Sequence, residues 1–385
     1  MPGRAARHME KPLRRPVECL ELGIEVKGEA VYFFAFDVAN ELLAERAREI
    51  LGGRCSVYEP RGRHAAPRGG GLHRPLSVTP PDTELSIDNR RLRLEIRLYE
   101  FGAVSIIMRS SFESTSLGEL INLHDAVAGD GQRLAQIAQS ICAELCREIR
   151  PALVRPSEIS EPEAYTVFCL YEADGVAVLE HWLREHRRDV AGLLTARPPN
   201  RSSESQVDEV LRQQRSLEKT DLTVIDWDAA LVIDLTGHAD DVLLVIELAN
   251  LQLEEFRHMD RSLDRFMNQA YLDLERRSMW RFGASTTMVR KLRWFRIDLA
   301  KLADEVTNIT KFFGEWHLAR IYLAARERFH LDNWRSSVDQ RLGQLDQLYN
   351  MVRSEIAERR MFILELVIGA LILIEFLSSI GLFRR

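Results

Sequence analysis

Residues 359–385, RRMFILELVIGALILIEFLSSIGLFRR, hold a 23-residue apolar run from Met361 to Phe383 between two Arg pairs. A helix of that length, at about 1.5 Å per residue, reaches roughly 34 Å, enough to cross a hydrocarbon core of about 30 Å with some tilt. Fifteen of the 23 residues are Leu, Ile, Val or Phe, each favouring insertion by ~0.3–0.6 kcal/mol. Glu365 and Glu375 oppose it, by about 2.5–3.5 kcal/mol for a charge at the centre and less near an end. The balance favours spanning. The run therefore predicts a large soluble body tied to a membrane by one C-terminal helix, 361–383.

The body itself is ordinary in composition. At 385 residues, with 29% charged residues and a net charge of −6, the chain can bury a real core and has no global basic field for nucleic acid. Only six of its 52 basic residues are Lys, a bias that genomic composition explains as well as phosphate recognition does. The five cysteines, Cys19, Cys55, Cys142, Cys146 and Cys169, are odd in number and lack a CxxC, which suits a reducing compartment. Residues 1–16 are Arg- and Pro-rich without an apolar h-region, so they read as a disordered basic leader and not as a secretory signal. The flanking Arg pairs balance, so orientation rests on the soluble mass. It places the body on the cytoplasmic side, or in the matrix if the chain is organellar.

Residues 17–237 read as an α+β domain. VYFFAF (31–36) predicts a buried strand, Asp37 an N-cap, and 38–51 a helix ended by Gly52–Gly53. A short strand at 54–58 precedes an expected disordered loop near 59–84. RLRLEIRLY then alternates cleanly at Leu92, Leu94, Ile96 and Leu98, and AVSIIM answers it. After helices near 116–127 and 130–150 the pattern recurs: a strand at 165–172, a helix at 175–194, a second polar loop near 196–206, and two strands in TDLTVIDWDAALVID. The two β-α-β-β units suggest a pseudo-duplication forming one sheet backed by helices.

Beyond Gly237 nothing reads as strand. Residues 240–281 predict one long helix, and later helices carry apolar residues in 3-4 alternation. In the last helix the seam is Val338, Leu342, Leu345, Tyr349, Val352 and Ile356, continued through Ile363, Leu366, Ala370, Leu373, Leu377 and Ile380. A heptad seam asks for a partner helix. Residues 238–360 are thus expected to form an antiparallel coiled-coil stalk, its partner lying in the same chain or in another copy.

The stretch from Lys311 to Phe376 resembles the end of a family of membrane-anchored, uncharacterised proteins that includes the mitochondrial "required for meiotic nuclear division" proteins. The shared features are the aromatic turn at Phe312–Phe313 and Trp316, the coiled-coil helix around Leu345–Tyr349, and a terminal apolar segment with two acids, Leu364–Glu365 and Ile374–Glu375. FGAVSIIM (101–108) is similar to that family's aromatic-Gly-apolar strand. Leu366 departs from the pattern, in which a Trp often follows the first membrane Glu. The resemblance implies an inner-membrane anchor and, for mitochondrial relatives, support of organellar translation. It carries no active site.

Candidate chemistry is sparse. Glu365 and Glu375, ten positions apart, fall about 80° apart on a helix and so can enter one interface; alternatively Glu365 reaches the headgroups beside Arg359 and Arg360. His181 and His186 in HWLREH miss both zinc-protease spacings. Arg61, Arg63, Arg68 and Arg74 lack the interleaved aromatics that RNA binding uses. No nucleotide, hydrolase or metal-ligand motif occurs, so no cofactor is expected. The expected function is a non-enzymatic, self-assembling membrane scaffold or tether that supports translation or membrane-protein assembly. The competing class is an enzyme whose pocket uses Asp226, Asp228 and Asp234.

Overall fold

In a computed structural model the described residues are 26–59, 75–80, 85–87, 90–124, 126–129, 131–173, 179–235, 239–275, 297 and 316–382. Twelve strands fall among them: β1 (Val26–Asp37), β2 (Ala39–Leu42), β3 (Cys55–Val57), β4 (Leu76–Val78), β5 (Leu85–Ile87), β6 (Arg90–Leu98), β7 (Ala103–Ser114), β8 (Leu153–Pro156), β9 (Glu163–Ala173), β10 (Gln214–Arg215), β11 (Asp221–Ile225) and β12 (Ala229–Asp234). Eight α-helices accompany them: α1 (Ala44–Leu51), α2 (Leu134–Glu148), α3 (Leu179–Glu185), α4 (Arg187–Leu194), α5 (Glu204–Val210), α6 (Asp240–Glu275), α7 (Trp316–Arg328) and α8 (Leu331–Leu382).

The main sheet runs β10-β11-β12-β9-β1-β7-β6-β4-β3, with β5 also on β6; β2 and β8 pair separately. Every pairing is antiparallel except β12 with β9. β1 and β7 are the longest strands and stay paired from Val26↔Ser114 to Asp37↔Ala103. Because side chains alternate along a strand, their residues serve two layers. Tyr32, Phe34, Phe36, Ile106 and Met108 face one core with residues of α1 to α5, whereas Val31, Phe33, Ala35 and Ile107 face another with α6 to α8. The sheet is covered on both faces. The buried 3-4 pattern of α2, at Leu134, Ile137, Ala138, Cys142, Leu145 and Cys146, is what lays that helix on the first face.

The expected duplication holds in strand order and fails in polarity. Each unit supplies three neighbouring strands, β1-β7-β6 and β9-β12-β11. β1 is antiparallel to β7, however, while β9 is parallel to β12. The second unit reaches β12 through the helices of 179–210, and a parallel neighbour requires such a crossover. The expected helix over 38–51 is shorter, because Val38 and Ala39 donate to the Gly102 carbonyl at 3.0 and 3.1 Å and 39–42 pair with β8. Gly102 has φ +91°, and a Cβ there would lie 1.8 Å from the Ala39 carbonyl oxygen, so only glycine fits this turn. The expected loop near 59–84 contains β4; residues 60–74, with the four arginines, lie outside the described residues.

No strand follows β12 among the described residues. α6 packs on the sheet, and every residue from Leu243 to Phe256 is buried. The seam of α8 meets it within the same chain: Val338, Leu342 and Leu345 share a core with Phe256, Met259 and Leu263. The Arg257 guanidinium lies 5.7 Å from the Trp334 ring centre, and Arg341 pairs with Asp260 (3.2 Å) and Asp264. Contacts advance along both helices together, so this pair runs parallel, in contrast to the antiparallel arrangement expected. The intervening chain, 276–315 apart from 297, lies outside the described residues, as do the side chains of Tyr349, Val352 and Ile356. α8 continues unbroken for 52 residues, and over Met361–Ser378 its mean hydropathy is 2.3 with no residue buried.

Candidate functional site

The alternation that drives Ile96 and Leu98 into the first core turns Arg93, Glu95 and Arg97 of β6 to the second face. Arg109 of β7 and Glu29 of β1 join them there, and α6 brings Asp240 and Glu247 over the top. Arg109 lies 2.8 Å from Glu29, 3.2 Å from Glu95 and 3.1 Å from Asp240. Arg97 pairs with Glu247, these two being 2% and 1% exposed, and its guanidinium sits 3.8 Å from the centre of the Tyr58 ring. Burial works against the charge on both arginines, but Glu247 for Arg97, and Glu95 with Glu29 for Arg109, outweigh it and raise both pKa values. Burial pushes the Tyr58 phenol up to about 12. The network is a fixed set of opposite charges locking α6 to the sheet.

One end of this network opens at the rim of the sheet. β1 and β9 shift register between Lys27 and Gly28, so Tyr171 is left over between Leu170 and Glu172. Such a bulge re-aims its side chain, and the Tyr171 hydroxyl donates to Glu29 at 2.5 Å. A Cβ on Gly28 would lie 1.8 Å from the Cys169 carbonyl oxygen, which accounts for the glycine. Lys27, Arg90, Ser111, Phe112 and Tyr171 line a cleft of about 490 Å³ beside it.

A second polar group lies further along α6. Arg257 pairs with Glu163 of β9, and Arg261 with Glu254 at 2.6 Å. Burial raises the Glu254 carboxyl to about 7 despite Arg261. Burial, aided by Arg261 and Arg265, lowers His258 to about 4.

Of the three carboxylates named for an enzyme pocket, two lie together and the third apart. Asp226 and Asp228 lie at the β11–β12 turn, and Asp234 at the other end of β12, opposite Asp221. Asp226 pairs with Arg328 at the end of α7, which also reaches Glu209 at 2.8 Å. Beside it Trp227 lies 5.7 Å from His330, and Phe329 meets Tyr165 edge-on at 5.0 Å. His330 has φ +52° and joins α7 to α8. The aspartate thus clamps the corner from which α8 departs. Glu365 and Glu375 are exposed on α8. His181 sits 3.2 Å from Glu185, and the His186 ring contacts the Trp182 carbonyl at 2.8 Å. Cys142 and Cys146 are buried with sulfurs 4.0 Å apart. Among the described residues no three His, Cys, Asp or Glu side chains are grouped to hold a metal ion.

The arginine–carboxylate network was not foreseen. Its signal is present in RRLRLEIRL, whose charged residues alternate with the apolar ones, and in the acids opening α6. Only the superposition of the two identifies them as partners.

The matched regions of known proteins coincide with this architecture. The family model described as the N-terminal domain of uncharacterised protein MJ0711 matches residues 27–240, from β1 to the first residue of α6. Uncharacterised protein MJ0711 of Methanocaldococcus jannaschii is 23% identical over 219 residues, covering 57% of this chain and 66% of that protein, just under two thirds of its length. No solved structure matches. The sheet and the helices on its first face, within residues 27–240, are therefore a family domain, and the chain belongs to the family of the MJ0711 N-terminal domain.

Proposed function

We propose that the protein is a non-enzymatic, membrane-tethered scaffold that holds its sheet domain at a set distance from a bilayer. The continuity of α8 carries this reading. Leu331, Val338, Leu342 and Leu345 are embedded in the second core, and the same helix presents eighteen exposed residues of mean hydropathy 2.3 over Met361–Ser378. An apolar surface of that extent needs a cover, and its length suits a bilayer. The sixteen residue steps from Leu345 to Met361 span about 24 Å of helix, which sets the stand-off. The resemblance of the C-terminal part to membrane-anchored proteins points the same way, with the domain on the side where it is made.

Alkaline carbonate extraction tests the tether. The full chain should stay with membranes, and a chain lacking 361–385 should be released; release of the full chain would overturn the proposal. Capture from gently solubilised membranes, followed by mass spectrometry, then separates two forms of scaffold. Translation components lost with 361–385 would identify a tether for that machinery, and recovery alone as a discrete oligomer would identify a self-assembled scaffold.

A further inference from the structure

α8 has two differently used sides. Within the domain its buried residues Leu331, Val338, Leu342 and Leu345 face α6 and the sheet, while Ser336, Asp339, Gln340 and Gln347 are exposed on the opposite side. Carried along a straight helix at 100° per residue, that open side becomes Glu365, Ile368, Ile372 and Glu375 in the apolar segment. Their mean direction lies about 130° round from the α6-facing side. Their spacing of three, four and three residues is that of a helix-packing seam. All four are exposed, and among the described residues α8 is the one helix long and apolar enough to cross a membrane.

We infer that Glu365, Ile368, Ile372 and Glu375 form the contact through which a second copy of this chain packs, parallel, inside the membrane; this rests on the tether proposed above. Carboxyl groups at membrane depth require hydrogen-bonding partners. Two copies anchored by the same segment enter with the same orientation and depth, so a two-fold contact brings each stripe residue against its own counterpart. A carboxylic acid both donates and accepts, so such a pair can satisfy itself. The domain then decides which side can be used. Packed helices approach to about 8–10 Å, and on the α6-facing side the domain body occupies that approach. On the open side two domains point away from each other and do not collide.

Single cysteines in the otherwise full-length chain, oxidised in native membranes, test the contact, with the parent chain as the control for its own five cysteines. Ile368→Cys and Ile372→Cys should give a disulfide-linked dimer, and Leu366→Cys, Leu373→Cys and Leu377→Cys should not. In the same assay Glu375→Leu added to Ile372→Cys should lose the dimer, while Glu375→Gln should keep it. Cross-links confined to 366, 373 and 377 would overturn the assigned face. No cross-links at any position, in a chain that still resists carbonate extraction, would overturn the second copy and point to another protein's helix, leaving the tether intact. Release by carbonate would instead overturn the tether itself.

Discussion

The two faces of the sheet are held in different ways. The first is covered by α1 to α5 through an apolar core of Tyr32, Phe34, Phe36, Ile96, Ile106 and Met108. The second has an apolar half under α6 to α8 and a charged half in which Arg97 and Arg109 meet Glu29, Glu95, Asp240 and Glu247. Apolar burial is non-directional and tolerates small shifts of a covering helix. A buried ion pair has one good geometry and a large penalty for losing a partner. The second face is thus where the position of α6 is specified, and with α6 the direction of α8.

Glu247→Leu should have the largest effect, a loss of about 3–5 kcal/mol in unfolding free energy because Arg97 is left buried and uncompensated. Adding Arg97→Met should restore most of it. A double variant as unstable as the single one would mean that the network contributes more than this pair.

The polar group further along α6 has its own pH signature. The Glu254 pKa is raised to about 7 in the folded chain, so its contribution is full below the unfolded value of about 4.3 and is lost as pH rises through 7. The His258 pKa is lowered to about 4, so its contribution is full above the unfolded value of about 6.5 and is lost as pH falls through 4. The two slopes oppose each other. Glu254→Gln should expose stability rising from pH 4 to 6.5, and His258→Gln stability falling from pH 4.5 to 7, each by at most about 3.5 kcal/mol. Thermal unfolding across that window checks the signs.

Asp226→Asn at the α7–α8 corner should cost about 1.5–3 kcal/mol, the range of hydrogen bonds to charged groups. An unchanged unfolding free energy would refute the clamp. On the first face Ile106→Val should cost only about 0.5–1.5 kcal/mol, and a loss as large as that of Glu247→Leu would erase the contrast between the faces.

These differences also mark where the amino-acid pattern is readable. β6 is legible from the period-two apolar alternation of RLRLEIRL, and β1, β7 and β9 from short, nearly continuous apolar runs such as VYFFAF and YTVFCL. β4 is three residues inside a Gly- and Pro-rich stretch, too short to carry a period. The helix expected from residue 38 yields at its start to contacts from Gly102 and β8, both distant in sequence. Asp226, Asp228 and Asp234 looked equivalent as strand-end acids, and nothing local separates one that meets Arg328, 102 residues away, from the others.

Local chemistry alone determined the chain's periodicities: alternating strands through residue 234, helical spacing after it, and a terminal run of 23 residues with two carboxyl groups. Those depend on neighbours within a few positions, where sterics and hydrophobic spacing act. Tertiary structure decided the rest. It made β12 parallel to β9, paired α8 with α6 in parallel, placed α6 on the sheet and converted charged strand positions into a buried lock. The physical reason is common to all four. Polarity and pairing are settled by which surfaces meet after long stretches of chain close, and the meaning of a charge depends on what covers it.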